Sequence, residues 1–205
     1  MQLTSLLTLV IQAGGESSRM GKEKGLQPFL GQPLVLRTLD RLRPLAAEVF
    51  ITTNRPQAYA FLGERLQTDL LPERSALGGL YTALGCASQP YVAVVACDMP
   101  FANPALLAAV QAALLEHAAD LAIPQSSGGL EPFHAVYRRD TCLPHVQAAL
   151  QAGKRRMDVW FSAVKMHLLL PEAWQQFDPE GLAFWNVNTP EELRQAEATA
   201  RRLGV

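Results

Sequence analysis

A mostly apolar run over residues 6–11 ends directly in the segment QAGGESSRMGKEKGL, and this junction limits the folds open to the chain. Such a run is typical of a strand buried on both faces of a sheet. Gly14 and Gly15 then allow backbone N–H groups to approach a ligand closely, and a following helix start favours negative charge. Three nearby cations, Arg19, Lys22 and Lys24, suit phosphate oxygens. The junction therefore predicts a nucleotide-phosphate site.

Two common phosphate-binding motifs do not match this loop. A P-loop needs GxxxxGK followed by Ser or Thr, whereas five residues separate Gly15 from Gly21 and Glu23 stands at the hydroxyl position. The dinucleotide pattern GxGxxG is missing as well, because Gly14 and Gly15 are adjacent and the next glycine is Gly21. The motif therefore indicates neither a P-loop ATPase nor a dinucleotide-dependent dehydrogenase.

Strand and helix patterns alternate along the rest of the chain. Strand patterns cover residues 48–53, 91–96, 120–123, 133–137 and 184–187, and helical patterns cover 33–42, 56–66, 75–87, 104–118 and 141–152. Asn103 followed by Pro104 predicts one helix start, and Thr189 with Glu192 forms a capping box for a final helix. This alternation predicts a single α/β domain over residues 1–205, with a mostly parallel sheet in a three-layer αβα arrangement.

Asp98 ends the second apolar run, VAVVACDMP, and is the candidate metal ligand. A carboxylate at the end of a buried strand is costly unless a cation pairs with it. Mg²⁺ prefers one or two carboxylates together with substrate phosphates and water. Asn103 is better placed than Asp98 to cap the next helix, which weakens a purely structural explanation. We therefore predict that Asp98 holds Mg²⁺ beside Lys24 and Arg19, which would bind phosphate oxygens.

A third polar cluster, FWNVNTPEEL, lies near the C-terminus. A structural role at the start of a helix accounts for Thr189 and Glu192. It does not account for Asn186 and Asn188. On a strand over residues 184–187, these two amides would point to the same face. They could orient a substrate or complete a metal shell.

Composition excludes several other classes of protein. Charged residues make up 18% of the chain, below the roughly 25% of average domains, and the net charge is −1. No general field therefore attracts nucleic acid or an anionic membrane. No apolar run approaches the roughly 18 residues of a membrane span, and no cation precedes Arg19 as a secretory signal requires. Three widely spaced cysteines support neither a zinc site nor a disulfide framework, so a cytoplasmic location is expected.

The three motifs together resemble the molybdenum cofactor guanylyltransferase family. Its members have an LAGGxSxRMGxxKxxL loop, a strand-end CDxP and an NxNTPEEL near the C-terminus, and the segment LQAGKRRMDVWF is also similar. The resemblance implies a Rossmann-like nucleotidyltransferase fold, GTP and molybdopterin as substrates, and Mg²⁺ as cofactor. It also implies transfer of GMP to the molybdopterin phosphate with release of pyrophosphate. Molybdoenzymes or other cofactor-biosynthesis proteins are the partners that such an enzyme would meet.

The resemblance assigns roles to individual positions. It implies nucleotide contacts at Gln12, Ala13, Gly14, Lys24, Asn54, Asp69 and Asp98. It places Mg²⁺ on Asp98, and it places Arg155 and Arg156 near the molybdopterin phosphate. From the residues alone, Arg155 and Arg156 are part of a basic triplet at a helix end.

Two departures from the family pattern leave alternatives open. Gln12 replaces the usual Leu, and SALGG (residues 75–79) replaces GPLAG, so the base preference is in doubt. A cytidylyltransferase acting on the same cofactor is one alternative. A sugar-phosphate nucleotidyltransferase is a second, since the glycine loop and strand-end Asp are shared more widely. A non-catalytic carrier of nucleotide or molybdopterin is a third.

Overall fold

In a computed structural model of the chain, residues 6–14, 23–72 and 75–205 are described. Within these ranges the strands are β1 (Leu7–Gln12), β2 (Pro28–Phe29), β3 (Gln32–Pro33), β4 (Glu48–Thr52), β5 (Arg65–Gln67), β6 (Tyr91–Ala96), β7 (Leu121–Ser126), β8 (Gly129–Leu130), β9 (His134–Arg138) and β10 (Met166–Leu169). The α-helices are α1 (Leu34–Leu42), α2 (Pro56–Tyr59), α3 (Ala76–Cys86), α4 (Pro104–Glu116), α5 (Arg139–Gln151), α6 (Pro171–Trp174) and α7 (Pro190–Leu203).

β1 lies near the middle of a sheet with the strand order β10-β7-β9-β6-β1-β4-β5, and β8 pairs with the end of β7. β1 runs parallel to both β4 and β6, β4 runs parallel to β5, and β7 runs parallel to β10. β9 is antiparallel between β6 and β7. The predicted mostly parallel α/β sheet is therefore confirmed.

The apolar run of β1 is long because both faces of the strand are covered. Leu9 and Ile11 pack in a core shared with α1 and α4, whereas Val10 packs in a core shared with α3 and α5. Each of these side chains is fully buried. Burial of one such side chain contributes about 1.5–3 kcal/mol, so the central strand is firmly held between two helical layers. This is the expected three-layer αβα arrangement.

Helix starts follow the predicted capping residues. The Asn103 side chain accepts a hydrogen bond from the N–H of Leu106 at the start of α4. Thr189 and Glu192 form a complete capping box at the start of α7. Both predictions are confirmed, because capping depends on residues only three positions apart.

The helix predicted over residues 56–66 is wrong. Only Pro56–Tyr59 is α-helical, a 3₁₀ turn continues to Leu62, and Gly63 ends it in the left-handed region at φ +67°. Arg65–Gln67 form β5, which pairs with β4 through Ile51 and Leu66. Pairing with the sheet edge therefore prevails over a helix-compatible spacing of apolar residues.

The strand predicted over residues 184–187 is also wrong. Leu182–Phe184 is a 3₁₀ turn that begins after Gly181, whose φ is +66°. Phe184 packs edge-on against Trp174, with ring centroids 5.1 Å apart. The N–H of Val187 bonds to the carbonyl of Asp98 at 2.9 Å, so this segment joins the loop after β6 rather than the sheet. The face alternation predicted for Asn186 and Asn188 on a strand is therefore wrong too. β10 was not predicted.

Among the helices of the described ranges, none is long and apolar enough to cross a membrane.

Candidate active site

A cleft of about 370 Å³ opens at the carboxyl ends of the parallel strands. Of the residues predicted from the sequence, those that line it are Gln12, Ala13, Gly14, Lys24, Asp69, Asp98 and Asn186. β1 delivers the first three, and β6 delivers Asp98 from the neighbouring strand. Strand order therefore explains why motifs more than 80 residues apart in sequence share one cleft.

Lys24 joins two of the predicted motifs directly. Its Nζ lies 3.3 Å from Asp98 Oδ2 and donates a 2.6 Å hydrogen bond to Asn188 Oδ1. The Lys24 side chain is 26% exposed and that of Asp98 is 12% exposed. The capping box at the start of α7 also positions Asn188, because the N–H of Asn188 donates to Glu192 Oε2 at 2.6 Å. Asn186 and Asn188 therefore lie at the site although neither is on a strand.

Asp98 is a buried carboxylate whose charge is only partly compensated. Burial raises the pKa of the Asp98 carboxyl above its ordinary value, while the Lys24 ammonium opposes that shift. The fold therefore disfavours the ionised form, and an added cation would stabilise it. A buried acid of this kind in a cleft is a candidate functional group.

The loop that carries Asp98 is held by α1. Arg37 Nε donates to the carbonyl of Pro100 at 2.9 Å, and Arg41 Nε donates to the carbonyl of Ala102 at 2.8 Å. The two arginines are one helical turn apart, so they present their side chains on the same face of α1. Burial lowers the pKa of each guanidinium, yet both groups stay charged in proteins. The sequence analysis missed the role of Arg37 and Arg41, because the spacing of two arginines on a helix does not reveal which groups they contact.

The backbone around Lys24 is held equally closely. A Cβ on Gly25 would lie 3.0 Å from both Cys97 Sγ and the Tyr59 hydroxyl, so only glycine fits here without displacement. Tyr59 is fully buried, and its hydroxyl donates to Glu23 Oε2 at 3.2 Å. Glu23 and Tyr59 are thus positioning residues that the sequence analysis missed.

Gln12 presents an unusual polar group to the cleft. Only 9% of the residue is exposed, and its Nε2 has no hydrogen-bond partner among the described residues. Gly79 of α3 faces the amide, since a Cβ there would lie 3.1 Å from Gln12 Oε1. An unpaired buried N–H group is costly, so a ligand that accepts a hydrogen bond would satisfy it.

Asn54 and Asp69 form one unit beside the glycine loop. Asn54 Nδ2 donates to Asp69 Oδ2 at 2.7 Å. A Cβ on Gly14 would lie 3.9 Å from each of these two atoms, which is an ordinary contact distance. Asn54 thus reaches the site through Asp69, which lines the cleft.

Two predicted residues, Arg155 and Arg156, do not line this cleft. Arg19 lies outside the described residues. Arg155 lines a separate cavity with Leu71 and Tyr81, and exposed Arg156 forms a 2.7 Å ion pair with Asp158. The assignment of Arg155 and Arg156 to the molybdopterin phosphate stays a prediction.

His134 is buried and does not line the cleft. Burial lowers its pKa to about 4, so the ring is neutral at physiological pH. Its Nε2 accepts a 3.3 Å hydrogen bond from the N–H of Asn103, whereas Nδ1 has no partner among the described residues. A buried, neutral imidazole outside the cleft suits a core residue rather than a catalytic base.

The donor set fits a magnesium ion only in company with phosphates. Within the described ranges, no group of three or more His, Cys, Asp or Glu side chains could hold a metal by itself. Mg²⁺ is commonly bound through one or two carboxylates plus substrate phosphates and water. The single carboxylate of Asp98 suits that mode, and Mg²⁺ at Asp98 stays a prediction.

The fold and the cleft define a Rossmann-like α/β protein with its ligand site at the carboxyl ends of the sheet strands. Open α/β sheets bind their ligands outside the carboxyl ends of the strands, where this cleft lies. A solved structure of molybdopterin-guanine dinucleotide biosynthesis protein A from Archaeoglobus fulgidus shares the fold, with a TM-score of 0.83, 24% identity, and coverage of 95% of this chain and 99% of that one. The 2-C-methyl-D-erythritol 4-phosphate cytidylyltransferase of Thermus thermophilus shares it at a TM-score of 0.67 and 18% identity, covering 94% and 98%.

Sequence relatives narrow the class to a family. Residues 9–165 match the MobA-like NTP transferase domain family. The molybdenum cofactor guanylyltransferase of Desulfosudis oleivorans is 31% identical over 196 residues, covering 95% of this chain and 96% of the relative. That of Shewanella amazonensis is 34% identical over 193 residues, covering 91% and 93%. The chain belongs to the molybdenum cofactor guanylyltransferase family.

Proposed function

We propose that the chain, acting as one domain in the cytoplasm, transfers GMP from GTP to the phosphate of molybdopterin and releases pyrophosphate. The observation that carries this proposal is the pairing of Lys24 with buried Asp98 inside the cleft. This pairing supplies one cation for phosphate oxygens and one carboxylate that a further cation would stabilise.

Lys24 would bind the triphosphate. An ammonium group has three N–H donors, and in the described structure two are directed at Asp98 and Asn188. The third suits a phosphate oxygen, and Arg19 would contact the leaving pyrophosphate. Asp98 and Asn188 hold the Lys24 ammonium in place before the substrate arrives, and preorganised charges of this kind stabilise a transition state without reorganisation at the moment of reaction.

Asp98 would hold Mg²⁺ together with the phosphates. When bound, the ion would neutralise charge on the reacting phosphates. An oxygen of the acceptor phosphate attacks the α-phosphorus of GTP in line, and the bond between the α-phosphorus and its bridging oxygen to the β-phosphate breaks. Catalysis then rests on positioning and charge neutralisation, and no covalent enzyme intermediate is needed.

Gln12 would contact the base. Its unpaired Nε2 is a donor, and guanine offers O6 and N7 as acceptors. Asp69, held by Asn54, would contact the same nucleotide. Cytosine carries acceptors of its own, so the unpaired amide makes the cytidylyl reaction the second candidate. Asn186, Arg155 and Arg156 are proposed for the acceptor side.

Pyrophosphate release tests the proposal. The purified chain is supplied with GTP, molybdopterin and a Mg²⁺ titration, and release is measured beside Asp98→Ala. We expect Asp98→Ala to abolish release while circular dichroism stays unchanged. Asp140→Ala is the control, because the Asp140 side chain is 77% exposed. Full activity of Asp98→Ala at ordinary Mg²⁺ would contradict the metal role, and binding of both substrates without release would favour the carrier.

A further inference from the structure

A second cavity, of about 630 Å³, lies beyond the cleft at the same edge of the sheet. Its wall includes Ser126 at the end of β7, Glu131 just before β9, and the aromatic residues Trp174, Phe184 and Trp185. Because β9 is antiparallel to β7, its first residues lie at the end of the sheet where β7 finishes. The cavity is therefore built from strands on the far side of Asp98 from Gln12.

The aromatic walls of the cavity are held in place. Trp174 Nε1 donates to the carbonyl of Gln125 at 3.0 Å, and the Trp174 ring meets Phe184 edge-on. Trp185 is half-buried and stacks on Phe101, with ring centroids 5.9 Å apart. Flat, fixed aromatic surfaces favour a flat ligand, because little side-chain freedom is lost on binding.

Glu131 is the polar side chain of this cavity wall that could bind a ligand. Ser126 Oγ donates to Glu131 Oε1, whereas Oε2 of this cavity-lining residue has no hydrogen-bond partner among the described residues. Burial raises the pKa of the Glu131 carboxyl, so a ligand that donates hydrogen bonds would stabilise its ionised form. Glu172 and Glu180 also line the cavity, and Lys and Arg are missing from its described lining. The wall is thus suited to a donor-rich group and unsuited to a phosphate.

The cavity adjoins the cleft through two chain segments. Glu131 of the cavity is two residues from Phe133 of the cleft, and Trp185 of the cavity precedes Asn186 of the cleft. Glu131 and Phe133 lie in one turn, closed by the bond from the N–H of His134 to the carbonyl of Glu131, so their backbones are at most about 7 Å apart. A ligand with a fused ring system and a phosphate at its end can therefore reach from Glu131 into the cleft that contains Asp98.

We propose that this cavity binds the pterin ring of the acceptor, with its 2-amino group and neighbouring ring N–H donating to the carboxylate of Glu131 and its faces against Trp185 and Phe184. The inference rests on the proposed function and specifies where the non-reacting end of the acceptor lies. The carboxylate is a two-oxygen acceptor that matches two parallel N–H donors, and charge-assisted pairs of this kind are the strong hydrogen bonds of proteins.

Direct binding of two free pteridines tests the proposal without turnover. The probes are pterin and lumazine, which differ in having a 2-amino or a 2-oxo group, and quenching of tryptophan fluorescence reports binding. We expect the wild type to prefer pterin over lumazine by about tenfold to a hundredfold. Glu131→Gln should remove the preference, and Glu131→Asp should retain part of it. Equal affinity of both probes for the wild type, or an unchanged preference in Glu131→Gln, would overturn the proposal.

Kinetics separate this inference from the proposed function. Glu131→Gln should raise KM for molybdopterin about tenfold or more while KM for GTP and kcat change little. Glu116→Gln, the same change on an exposed residue at the end of α4, is the matched control. Guanine has the same amino and N–H edge as pterin, so a rise in KM for GTP alone would overturn the proposal. If the wild type transfers no nucleotide but binds pterin through Glu131, the proposed function fails and the pterin site stands.

Discussion

Replacing Lys24 by Met removes the ammonium that lies between Asp98 and Asn188 while keeping most of the side-chain volume. At 3.3 Å and an effective dielectric constant of about 20, the attraction between Lys24 and Asp98 is about 5 kcal/mol before desolvation is counted. The Lys24 side chain is 26% exposed, so solvent screens part of this attraction. Leaving a buried charge without its partner costs about 3–5 kcal/mol, and partial exposure puts this site below that range, at about 2 kcal/mol.

Thermal unfolding measures that cost. For a chain of this size, about 2 kcal/mol corresponds to a fall in Tm of about 4–8 °C. Asp98→Asn in the same chain removes the unpaired charge, so the double variant should regain most of the lost stability. Lys154→Met, at an exposed position after α5, is the matched control and should leave Tm unchanged.

Turnover separates the structural from the catalytic part. Loss of one preorganised charge-stabilising group lowers kcat by about two to three orders of magnitude, and we expect that loss for Lys24→Met. The double variant should recover stability but not activity. A rate for Lys24→Met within a factor of about three of wild type would refute the catalytic reasoning. A double variant no more stable than the single variant would refute the electrostatic reasoning.

Further predictions concern Asp98 and its surroundings. Because burial raises the pKa of Asp98, activity should fall on acidification at a pH above the ordinary range of Asp, and Asp98→Asn should be more stable than wild type at neutral pH. That gain should vanish below about pH 3.9, where the residue is protonated in both folded and unfolded chains, as calorimetry against pH can check. Gly25→Ala should cost about 1–3 kcal/mol in urea unfolding, and Cys97→Ala in the same chain should relieve part of that cost, because the contact with the Tyr59 hydroxyl remains. Arg41→Ala should cost about 1–2 kcal/mol through the lost bond to Ala102, and it should raise the Mg²⁺ concentration at half-maximal rate. Arg194→Ala, which removes only an exposed ion pair on α7, should do neither.

The parts of the fold that could be predicted are those encoded locally. The strands β1 and β6 could be recognised from their apolar runs, because strands covered on both faces need apolar residues at every position. The helix starts at Asn103 and Thr189 could be recognised because each capping contact joins residues only three positions apart. The site motifs were found for the same reason, since each follows a strand that could be recognised by itself.

The parts that could not be predicted depend on contacts distant in sequence. β5 and β10 are short strands that exist through pairing with β4 and β7, and their own residues carry little strand signal. Lys24 and Asn188 are 164 residues apart, so their contact follows from the packing of α7 beside the sheet. The wall around Glu131 likewise gathers segments whose sequences have no shared pattern.

The mass of the product tests the central claim most directly. The purified chain is mixed with Mg²⁺, molybdopterin and either GTP or CTP for a single turnover, and the pterin product is weighed by mass spectrometry. We expect molybdopterin carrying GMP, with pyrophosphate formed in equal amount. A product carrying CMP would contradict the proposed guanine preference and would indicate that Gln12 contacts cytosine. Unmodified molybdopterin with both nucleotides, from folded protein that binds them, would contradict nucleotide transfer itself.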